Sequence, residues 1–292
     1  MGLKKRAFTL VELVIVIAII AVLMAILIPS MLSISSEAEL RVCESNRATV
    51  LRIYKTYAMQ KKPPTLKEIV ANANQDYFSN EVKCPSKGVY SVVIEGNNET
   101  IHCSIHGSSS FHGLKDGDIP DGIKLNSWNN QTGNWKVVNG RIVSKTGAFL
   151  MYKVDASEYT VHAEGYLKEN TGMIVEGYAD GSAYYGTAVQ FEKDGKILIT
   201  PFKKDPGMSN LDGGYQKSFS LPPGMTLNKD MKMEVKVRYN NAGQKVVDVL
   251  LDGVVVVDGC KIKDAPGDEC LYGVRTWGKG TDGNFSDLYV TK

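Results

Sequence analysis

The chain has 292 residues, 43% of them hydrophobic, and a formal net charge of +2 at pH 7. A chain of this length predicts two domains rather than one. Three of the 34 basic side chains, Lys4, Lys5 and Arg6, precede an apolar run, and without them 31 basic residues face 32 acidic ones. The charge balance therefore excludes a nucleic acid as a predicted partner.

The apolar run that follows is long enough to span a membrane. No polar side chain occurs from Leu13 to Pro29, and the wider run from Phe8 to Leu32 fits the roughly 17–25 residues that a membrane helix needs. The basic flank predicts a cytoplasmic N-terminus, with the chain beyond position 32 outside the membrane. A cleaved secretory signal has a shorter apolar core, whereas a plain signal anchor fits both the length and the charge.

A single glutamate, Glu12, lies inside this apolar run, and neither a signal nor an anchor explains it. A carboxylate costs about 2.5–3.5 kcal/mol at the centre of a spanning helix, and less near an end, so Glu12 predicts a functional partner. If the leader 1–7 is removed, Phe8 carries a new α-amino cation one helical turn before Glu12. In an array of such helices, Glu12 would neutralise the terminus of a neighbouring copy. We therefore expect Glu12 to set the register of assembly.

The letters KKRA, then FTLVE, an apolar helix and a proline resemble the N-terminus of type IV pilins and the related pseudopilins. In that family, a prepilin peptidase cuts before the phenylalanine and methylates the new amine, and the glutamate guides docking into the filament. The resemblance implies cleavage between Ala7 and Phe8, N-methylation of Phe8, Glu12 as the assembly carboxylate and Pro29 as a helix kink. The family usually has glycine before the cut, where this chain has Ala7.

The resemblance also implies partners and a location. The implied partners are other pilin subunits, the prepilin peptidase and, before assembly, membrane lipid. The precursor is expected in the cytoplasmic membrane with a single pass, and the assembled subunit in an extracellular pilus at the cell surface. Two alternatives stay open: a pseudopilin of a type II secretion or DNA-uptake system, and a membrane-anchored surface lectin or hydrolase that never polymerises.

Residues 8–107 are predicted to form a pilin domain that opens with a helix over 8–59. The sequence KKPP at Lys61–Pro64 ends this helix, because proline lacks the amide donor and disfavours helix before it. Thr65 and Glu68 form a capping-box pattern that predicts a short second helix. Two strands, over 89–95 and 100–105, are predicted to form a hairpin around a turn at 96–98.

Five cysteines predict two disulfides in an extracellular protein. Cys84 and Cys103 flank the predicted hairpin, where a bridge would stabilise by about 3 kcal/mol. Cys260 and Cys270 bracket a loop that a second bridge would pin. Cys43 is left over on the helix, as a buried thiol or an intermolecular bridge. A zinc site is the alternative, but the lack of a Cys-x-x-Cys pair argues against it, and no metal site is predicted.

Residues 108–125 differ in composition from their neighbours and predict a linker, because they are rich in glycine, serine and aspartate. Asp116, Asp118 and Asp121 carry the oxygen ligands that calcium prefers, but their spacing misses the D-x-D-x-D-G loop. A solvated linker is the preferred interpretation, and no resident cofactor is predicted.

Residues 126–292 are predicted to form an all-β sandwich. Apolar and charged residues alternate strictly from Lys232 to Tyr239, which is typical of a half-buried strand. Asn139-Gly140, Asp194-Gly195 and Asp252-Gly253 each join two extended runs and predict hairpins. Segments such as EYTVHAEGYL and LYGVRTWGKGTDGNFSDLYV resemble concanavalin A-like and laminin-G-like jelly rolls. Such modules commonly bind carbohydrate or protein, sometimes with calcium.

The predicted fold class is thus α+β: a long N-terminal transmembrane or pilin helix, a small disulfide-pinned β-hairpin head, and an all-β jelly-roll sandwich. Glycosidases on the jelly-roll fold use an E-x-D-x-x-E strand, and that spacing is missing, as are G-x-S-x-G, H-E-x-x-H and G-x-x-x-x-G-K-[ST]. Catalysis is therefore not predicted.

Aromatic residues of the sandwich are the candidates for ligand binding. They are Tyr178, Tyr184, Tyr185, Tyr215 and Trp277. Flat rings with polar neighbours suit the face of a sugar or a protein hot spot, although strand cores also favour such residues. The whole sequence predicts a type IV pilin-like subunit whose displayed sandwich adheres to a carbohydrate or to a host or matrix protein.

Overall fold

The computed structural model describes residues 10–72, 77–78, 82–107, 116–119, 121–126, 134–145, 147–181, 183–205, 208–210, 216–267, 269–277 and 282–292, without the side chains of positions 11–12, 22–36, 126 and 204–210. These residues form two helices and 18 strands. The described residues therefore form mostly a β-sandwich, with their two helices near the N-terminal end, which confirms the coarse α-then-β order.

The first helix, α1, spans Leu10–Tyr57 and ends two residues before its predicted end. It stops ahead of the two prolines, as their missing amide donors require. Thr65 then caps α2 (Leu66–Ala71): the Glu68 amide donates to the Thr65 hydroxyl at 3.2 Å, and the Thr65 amide donates to the Glu68 carboxylate at 2.7 Å. The predicted capping box is confirmed.

The head of the molecule is built from these two helices and a hairpin of β1 (Tyr90–Glu95) and β2 (Asn98–Cys103). Gly96 and Asn97 form the two-residue turn, and Gly96 adopts the positive φ that this turn needs. The core of the head is small. Its fully buried residues are Val50, Leu66, Ile69 and Ile101.

The other strands belong to two antiparallel sheets. Their bounds are β3 (Gly117–Asp118), β4 (Ile123–Asn126), β5 (Trp135–Val138), β6 (Arg141–Ser144), β7 (Ala148–Asp155), β8 (Tyr159–Leu167), β9 (Thr171–Asp180), β10 (Ala183–Phe191), β11 (Lys196–Asp205), β12 (Met208–Asn210), β13 (Lys217–Ser220), β14 (Lys229–Tyr239), β15 (Lys245–Leu251), β16 (Val254–Lys261), β17 (Glu269–Thr276) and β18 (Gly283–Thr291). The first sheet has the order β16-β15-β14-β8-β18-β6-β5-β3 and also holds β1 and β2, whereas the second has the order β12-β11-β10-β9-β17-β7-β4, with β13 beside β11.

Local sequence signals placed several strands correctly. In β14, Met233, Val235 and Val237 are buried between exposed or half-buried neighbours, as their alternation predicts, whereas Tyr239 at the end of the strand is exposed. Each of the three Asn-Gly or Asp-Gly pairs lies between two strands that pair with each other, namely β5 and β6, β10 and β11, and β15 and β16. Both β3 and β4 lie in or across the stretch predicted as a linker, and they pair with β5 and β7.

The main core fills the space between the two sheets, and a second apolar layer covers the far side of the second sheet. Strand β7 shows why: Leu150 and Tyr152 face the main core, whereas Phe149 and Met151 join the second layer. All four side chains are buried. The central strands of the second sheet are thus apolar on both faces, which explains their unbroken apolar runs.

The head hairpin is joined to both sheets at its tip. Strand β1 pairs with β18 of the first sheet at Ile94 and Val290. From the second sheet, the Tyr272 hydroxyl donates to the carbonyl oxygens of Ile94 at 3.3 Å and Gly96 at 3.1 Å. The Lys153 amide donates to the side-chain oxygen of Asn97 at 3.1 Å. The hairpin therefore belongs structurally to the sandwich as well as to the head.

The predicted disulfide between Cys84 and Cys103 is wrong, because all five cysteines are free thiols. Both side chains instead turn toward Cys43 and His106, and the four ligand-type atoms lie within 4.8 Å of one another. Burial raises the pKa of the Cys84 thiol, but hydrogen bonds from the backbone at Gly88 and Ser86 outweigh burial and hold that pKa below its usual range.

The predicted disulfide between Cys260 and Cys270 is also wrong. The two residues lie on β16 of the first sheet and β17 of the second sheet, and each thiol has its own partner. The Cys260 sulfur lies 3.8 Å from the Lys261 carbonyl oxygen, and the Cys270 sulfur lies 3.4 Å from the Tyr159 hydroxyl. Burial raises the pKa of Cys270 to about 12, which keeps it a thiol.

Candidate functional site

A small depression of about 80 Å³ lies over strands β9, β10 and β11 of the second sheet. It combines aromatic rings, two lysines and one buried carboxylate. The residues used below are Glu176, Tyr178, Tyr185, Phe202, Lys203 and Lys263. Two of the five aromatic residues predicted to bind ligand thus lie in one depression.

The aromatic wall of the depression is a stacked pair of tyrosines. Tyr185 on β10 lies directly opposite Tyr178 on β9 and Lys203 on β11. The two tyrosine rings are 4.9 Å apart and nearly parallel, at 9°. The Lys203 ammonium lies 5.5 Å from the centre of the Tyr185 ring, within the range of a cation–π contact. Sheet register therefore builds a flat half-buried platform with a positive charge beside it.

A bulge in β10 shapes the depression next to this platform. The pairing of β10 with β9 shifts register between Tyr185 and Thr187. A Cβ at Gly186 would lie 2.9 Å from the Phe202 ring and 3.0 Å from the Cα of Gly177, so only glycine fits there without a shift. Bulges commonly re-aim side chains beside functional sites.

Glu176 supplies the carboxylate of the depression, and its backbone has a left-handed φ of 50°. Its side chain is 2% exposed and lies 3.5 Å from the ammonium of Lys245, which is 3% exposed. The Ala265 amide donates to the same carboxylate at 3.2 Å. Burial raises the pKa of Glu176 in spite of these two contacts.

Lys245 has two further oxygen partners besides Glu176. It donates to the Ser157 carbonyl oxygen at 2.7 Å and lies 3.3 Å from a carboxylate oxygen of Asp264. Burial acts to lower the pKa of Lys245, but its contacts with Glu176, Tyr239 and Asp264 outweigh burial and raise it. Lys245 therefore stays charged and compensates the carboxylate below the depression.

A second group of rings surrounds Arg275 on β17. Its guanidinium carbon lies 4.9 Å from the centre of the Phe149 ring, 5.7 Å from Phe202 and 4.5 Å from Trp277. The Arg275 side chain is buried, with no hydrogen-bond partner among the described residues for its three nitrogens. Burial lowers the pKa of Arg275 to about 9. Phe202 connects this cage to the depression, because it contributes to both.

The predicted ligand residues thus divide into two groups. Tyr178 and Tyr185 stack in the depression, whereas Tyr184 packs on the outer apolar layer and Trp277 lies against Arg275. Tyr184 and Tyr185 are both half-buried. Tyr215 lies outside the described residues.

Sequence reasoning missed the charged members of this region. They are Glu176, Lys203, Lys245 and Arg275. The signal for Arg275 is a charge among the apolar residues of ECLYGVRT, and the signal for Glu176 is a charge among the apolar residues of TGMIVEGYAD. Charges embedded in apolar strands are rarely fully buried unless they are paired, which marks such positions for attention.

The N-terminal site residues lie mainly beyond what the structure describes. Ala7 and Phe8 are outside the described residues, and Glu12 and Pro29 lie on α1 with undescribed side chains. The described apolar side chains at positions 10 and 13–21 are exposed. No helix within the described residues meets the length and apolarity required of a membrane span.

The family model of the prokaryotic N-terminal methylation motif matches residues 2–28. The chain carries this methylation motif. The methylation motif includes the predicted cut after Ala7 and the glutamate at position 12, and it confirms the resemblance of this end to the prepilins. No curated protein sequence matches the chain.

Solved structures with similar chain paths include a lyase and two binding domains. They are alginate lyase Aly36B (14% identity, TM-score 0.32, covering 60% of this chain and 98% of that chain), a legume lectin-like domain from Entamoeba histolytica (15%, 0.37, 60% and 99%) and the carbohydrate recognition domain of Emp47p (11%, 0.35, 60% and 99%). TM-scores this low do not establish a shared fold, and binding domains and a lyase occur together. The assignment to jelly rolls therefore stays a prediction.

Proposed function

We propose that the protein is a type IV pilin-like filament subunit whose β-sandwich is displayed outside the cell to bind a carbohydrate or protein ligand. The observation that carries the proposal is the methylation motif at residues 2–28, together with the helix that begins within it at Leu10 and whose described N-terminal side chains are apolar and exposed. In this proposal, a prepilin peptidase cuts after Ala7 and methylates Phe8.

The exposed part of α1 supports both a membrane stage and a filament stage. Leu10 is 78% exposed, and Leu13 and Ile17 are each 56% exposed. A continuous apolar surface of this kind marks a site that another apolar body covers. Lipid covers it in the precursor, and the same helices of neighbouring subunits cover it after assembly. Glu12 then pairs with the N-terminal amine of a neighbour, because a buried pair costs less than one buried charge.

The assembly role is tested by replacing Glu12 with alanine. We expect Glu12→Ala to reach the membrane fraction normally and to be lost from sheared filaments. Glu37→Ala is the matched control, because Glu37 lies on the same helix and its side chain is 71% exposed. Normal incorporation of Glu12→Ala would contradict the docking role. Mass spectrometry of the N-terminal peptide tests processing separately: an intact leader would favour a membrane-anchored protein that does not polymerise.

The stacked tyrosines support the ligand-binding part of the proposal. Parallel rings at a partly open surface suit the flat face of a sugar, and the ammonium groups of Lys203 and Lys263 at the same depression favour an acidic glycan. The carboxylate in the described lining, Glu176, is held by Lys245 and the Ala265 amide. This engaged position suits a structural charge better than a general acid or base, so we place the domain among binding modules.

Binding is tested with a panel of neutral and acidic glycans and matrix proteins, with and without calcium. We expect saturable binding that Tyr185→Ala weakens roughly 2- to 10-fold, as the loss of about 0.5–1.5 kcal/mol of ring contact predicts. Tyr166→Ala is the control, since Tyr166 is 37% exposed on the other sheet. Equal binding by the two variants would contradict the site. Release of shortened glycan products would contradict a purely binding role.

A further inference from the structure

Three cysteines and one histidine converge in the head, in a cluster that the assembly and ligand-binding roles do not use. Cys43 lies on α1, Cys84 precedes a turn before β1, Cys103 ends β2, and His106 lies in the turn that follows. The three cysteines are buried and His106 is half-buried. Their four ligand-type atoms lie within 4.8 Å of one another. Segments that are distant in sequence therefore direct four soft ligand atoms to one point.

The spacing of these atoms fits a tetrahedral ion. The Nδ1 atom of His106 lies 3.2 Å from the Cys84 sulfur and 3.8 Å from the Cys103 sulfur. In a tetrahedral zinc site, with Zn–S near 2.3 Å and Zn–N near 2.0–2.1 Å, sulfur and nitrogen ligands lie about 3.5 Å apart. The two measured distances bracket this value. Three sulfurs and one imidazole in this geometry favour zinc over harder cations such as calcium or magnesium.

The backbone around Cys84 is shaped to bring thiols together. Cys84 starts the sequence CPSKG, in which the Lys87 amide donates to the Cys84 carbonyl oxygen at 3.0 Å and Lys87 has a left-handed φ of 63°. The backbone at Ser86 and Gly88 hydrogen-bonds the Cys84 sulfur. A Cβ at Gly88 would lie 2.4 Å from the Cys103 sulfur, so the close approach requires glycine.

A buried arginine holds the second ligand-bearing turn against α1. The amides of Cys103 and Gly107 donate to each other's carbonyl oxygens at 3.0 and 2.9 Å, which closes the turn that carries His106. The Arg47 guanidinium donates to the Gly107 carbonyl oxygen at 2.6 Å and to the Ile101 carbonyl oxygen at 3.3 Å. This clamp fixes Cys103 and His106 relative to the helix.

Arg47 also compensates the negative charge that a metal centre would carry. Three thiolates, a neutral imidazole and Zn²⁺ have a net charge of −1, which a buried site must compensate. Arg47 lies one helical turn after Cys43 and is 1% exposed. Its Nε and Nη2 atoms have no hydrogen-bond partner among the described residues. A buried cation beside a cluster of thiols is costly unless that cluster is anionic.

Hydrogen bonds from Ser86 and Tyr90 orient two of the ligands. The Nε2 atom of His106 lies 3.3 Å from the Ser86 hydroxyl oxygen, and that hydroxyl donates to the Glu39 carboxylate. The Ser86 oxygen therefore accepts a hydrogen bond from the Nε2–H group, which leaves the Nδ1 lone pair facing the sulfurs. Zinc-bound histidines commonly donate their other ring proton to such a partner. The Tyr90 hydroxyl also donates to the Cys43 sulfur at 3.5 Å.

We propose that Cys43, Cys84, Cys103 and His106 bind one zinc ion, which cross-links the assembly helix to both ends of the head hairpin. All four positions are taken by protein ligands, so the site is structural rather than catalytic. The head gains from such a link because its apolar core is small.

Zinc content of the full-length chain, purified in detergent under reducing conditions, tests this proposal. We expect one zinc per chain by elemental mass spectrometry, and a thiolate-to-metal absorption band after exchange with cobalt. Cys84→Ser should reduce zinc to background, whereas Cys260→Ser, which replaces a buried cysteine elsewhere, should retain it. Ser86→Ala keeps all four ligands and should weaken zinc affinity about 10- to 100-fold.

Three results would overturn the proposal. The first is a folded, reduced chain that takes up no zinc when zinc is added. The second is a Cys84–Cys103 disulfide in the peptide map of protein kept from oxidation. The third is unchanged zinc affinity in both Cys84→Ser and Ser86→Ala. If Cys84→Ser fails to fold, Ser86→Ala still decides, because among the described residues the Ser86 side chain hydrogen-bonds His106 and Glu39 and is not itself a ligand.

Discussion

Replacing Lys245 with methionine removes a buried charge while it keeps the length and apolar stem of the side chain. In the native protein, the Lys245 ammonium compensates Glu176 at 3.5 Å, and the two side chains are 3% and 2% exposed. The variant leaves the Glu176 carboxylate buried, with the Ala265 amide as a remaining donor. Its cost is therefore the desolvation of one uncompensated charge.

Removal of one partner from a buried ion pair costs about 3–5 kcal/mol. Because the Ala265 amide still supports Glu176, we expect a loss near 3 kcal/mol in the free energy of unfolding. Adding Glu176→Gln removes the orphaned charge and should restore part of that loss. Neighbouring partners of this kind typically couple by about 0.5–3 kcal/mol.

Urea unfolding followed by tryptophan fluorescence measures these differences, with the slope of the transition checked for each variant. The pH gives a second test. Burial already raises the pKa of Glu176 in the folded state, and loss of Lys245 should raise it further. The stability lost in Lys245→Met relative to the native protein should therefore be smallest at acidic pH and grow as pH rises through the folded pKa of Glu176. A loss under about 1 kcal/mol, or strictly additive losses in the double variant, would refute an obligatory pair.

Three further predictions concern local contacts. The Asp248 carboxylate is half-buried, yet two hydrogen bonds from Arg238 at 2.7 and 2.8 Å help to hold its pKa below the usual range. Its contribution to stability should be lost as pH falls below about 3.9. Asp248→Asn should cost about 1–3 kcal/mol at neutral pH, and acid titration of unfolding measures both effects. Gly273→Ala would place a Cβ 1.9 Å from the Leu150 carbonyl oxygen, so it should separate β17 from β7. We expect the free energy of unfolding to fall by about 1–3 kcal/mol or more. A native melting temperature would contradict this prediction. Thr65→Ala removes the cap of α2 and should cost about 0.5–2 kcal/mol, with faster amide exchange confined to that helix.

Local signals in the sequence predicted much of the fold. The capping box at Thr65, the end of α1 before the prolines and the alternation over 232–237 in β14 depend on neighbours within a few positions, and each is confirmed. The three Asn-Gly and Asp-Gly pairs likewise predicted hairpin turns that the structure contains. The pairing of β1 with β18 joins residues almost 200 positions apart, as Ile94 and Val290 show, and no local pattern announces it.

The cysteines show most clearly what local sequence patterns cannot predict. Counting them in an extracellular chain favoured two bridges, but Cys84 and Cys103 meet a third cysteine from α1 and a histidine from the next turn. Two short features of the sequence nevertheless indicate this cluster. One is the spacing of Cys103 and His106, only three positions apart, and the other is the Cys-Pro-x-x-Gly turn. Neither shows by itself that Cys43 approaches, because that depends on how the helix packs.

The sequence predicted the aromatic residues of the candidate ligand site but not its charged residues. Tyrosines in strands were identified, and register then placed Tyr178 beside Tyr185. Lys203 could not be assigned to the same place, because its position depends on how β11 aligns with β10. Glu176 and Lys245 are likewise brought together only by the packing of the two sheets.

The attachment of the hairpin tip to both sheets has a mechanical consequence. A subunit held in a filament by α1 and pulled through a ligand on its sandwich would experience tension between these two parts. That tension passes through the tip, where β1 meets β18 and the Tyr272 hydroxyl donates to the carbonyl oxygens of Ile94 and Gly96. We expect these few hydrogen bonds to yield under force before the extended ladders of the two sheets do. Their rupture would let the display domain extend away from the filament before the sandwich itself unfolds.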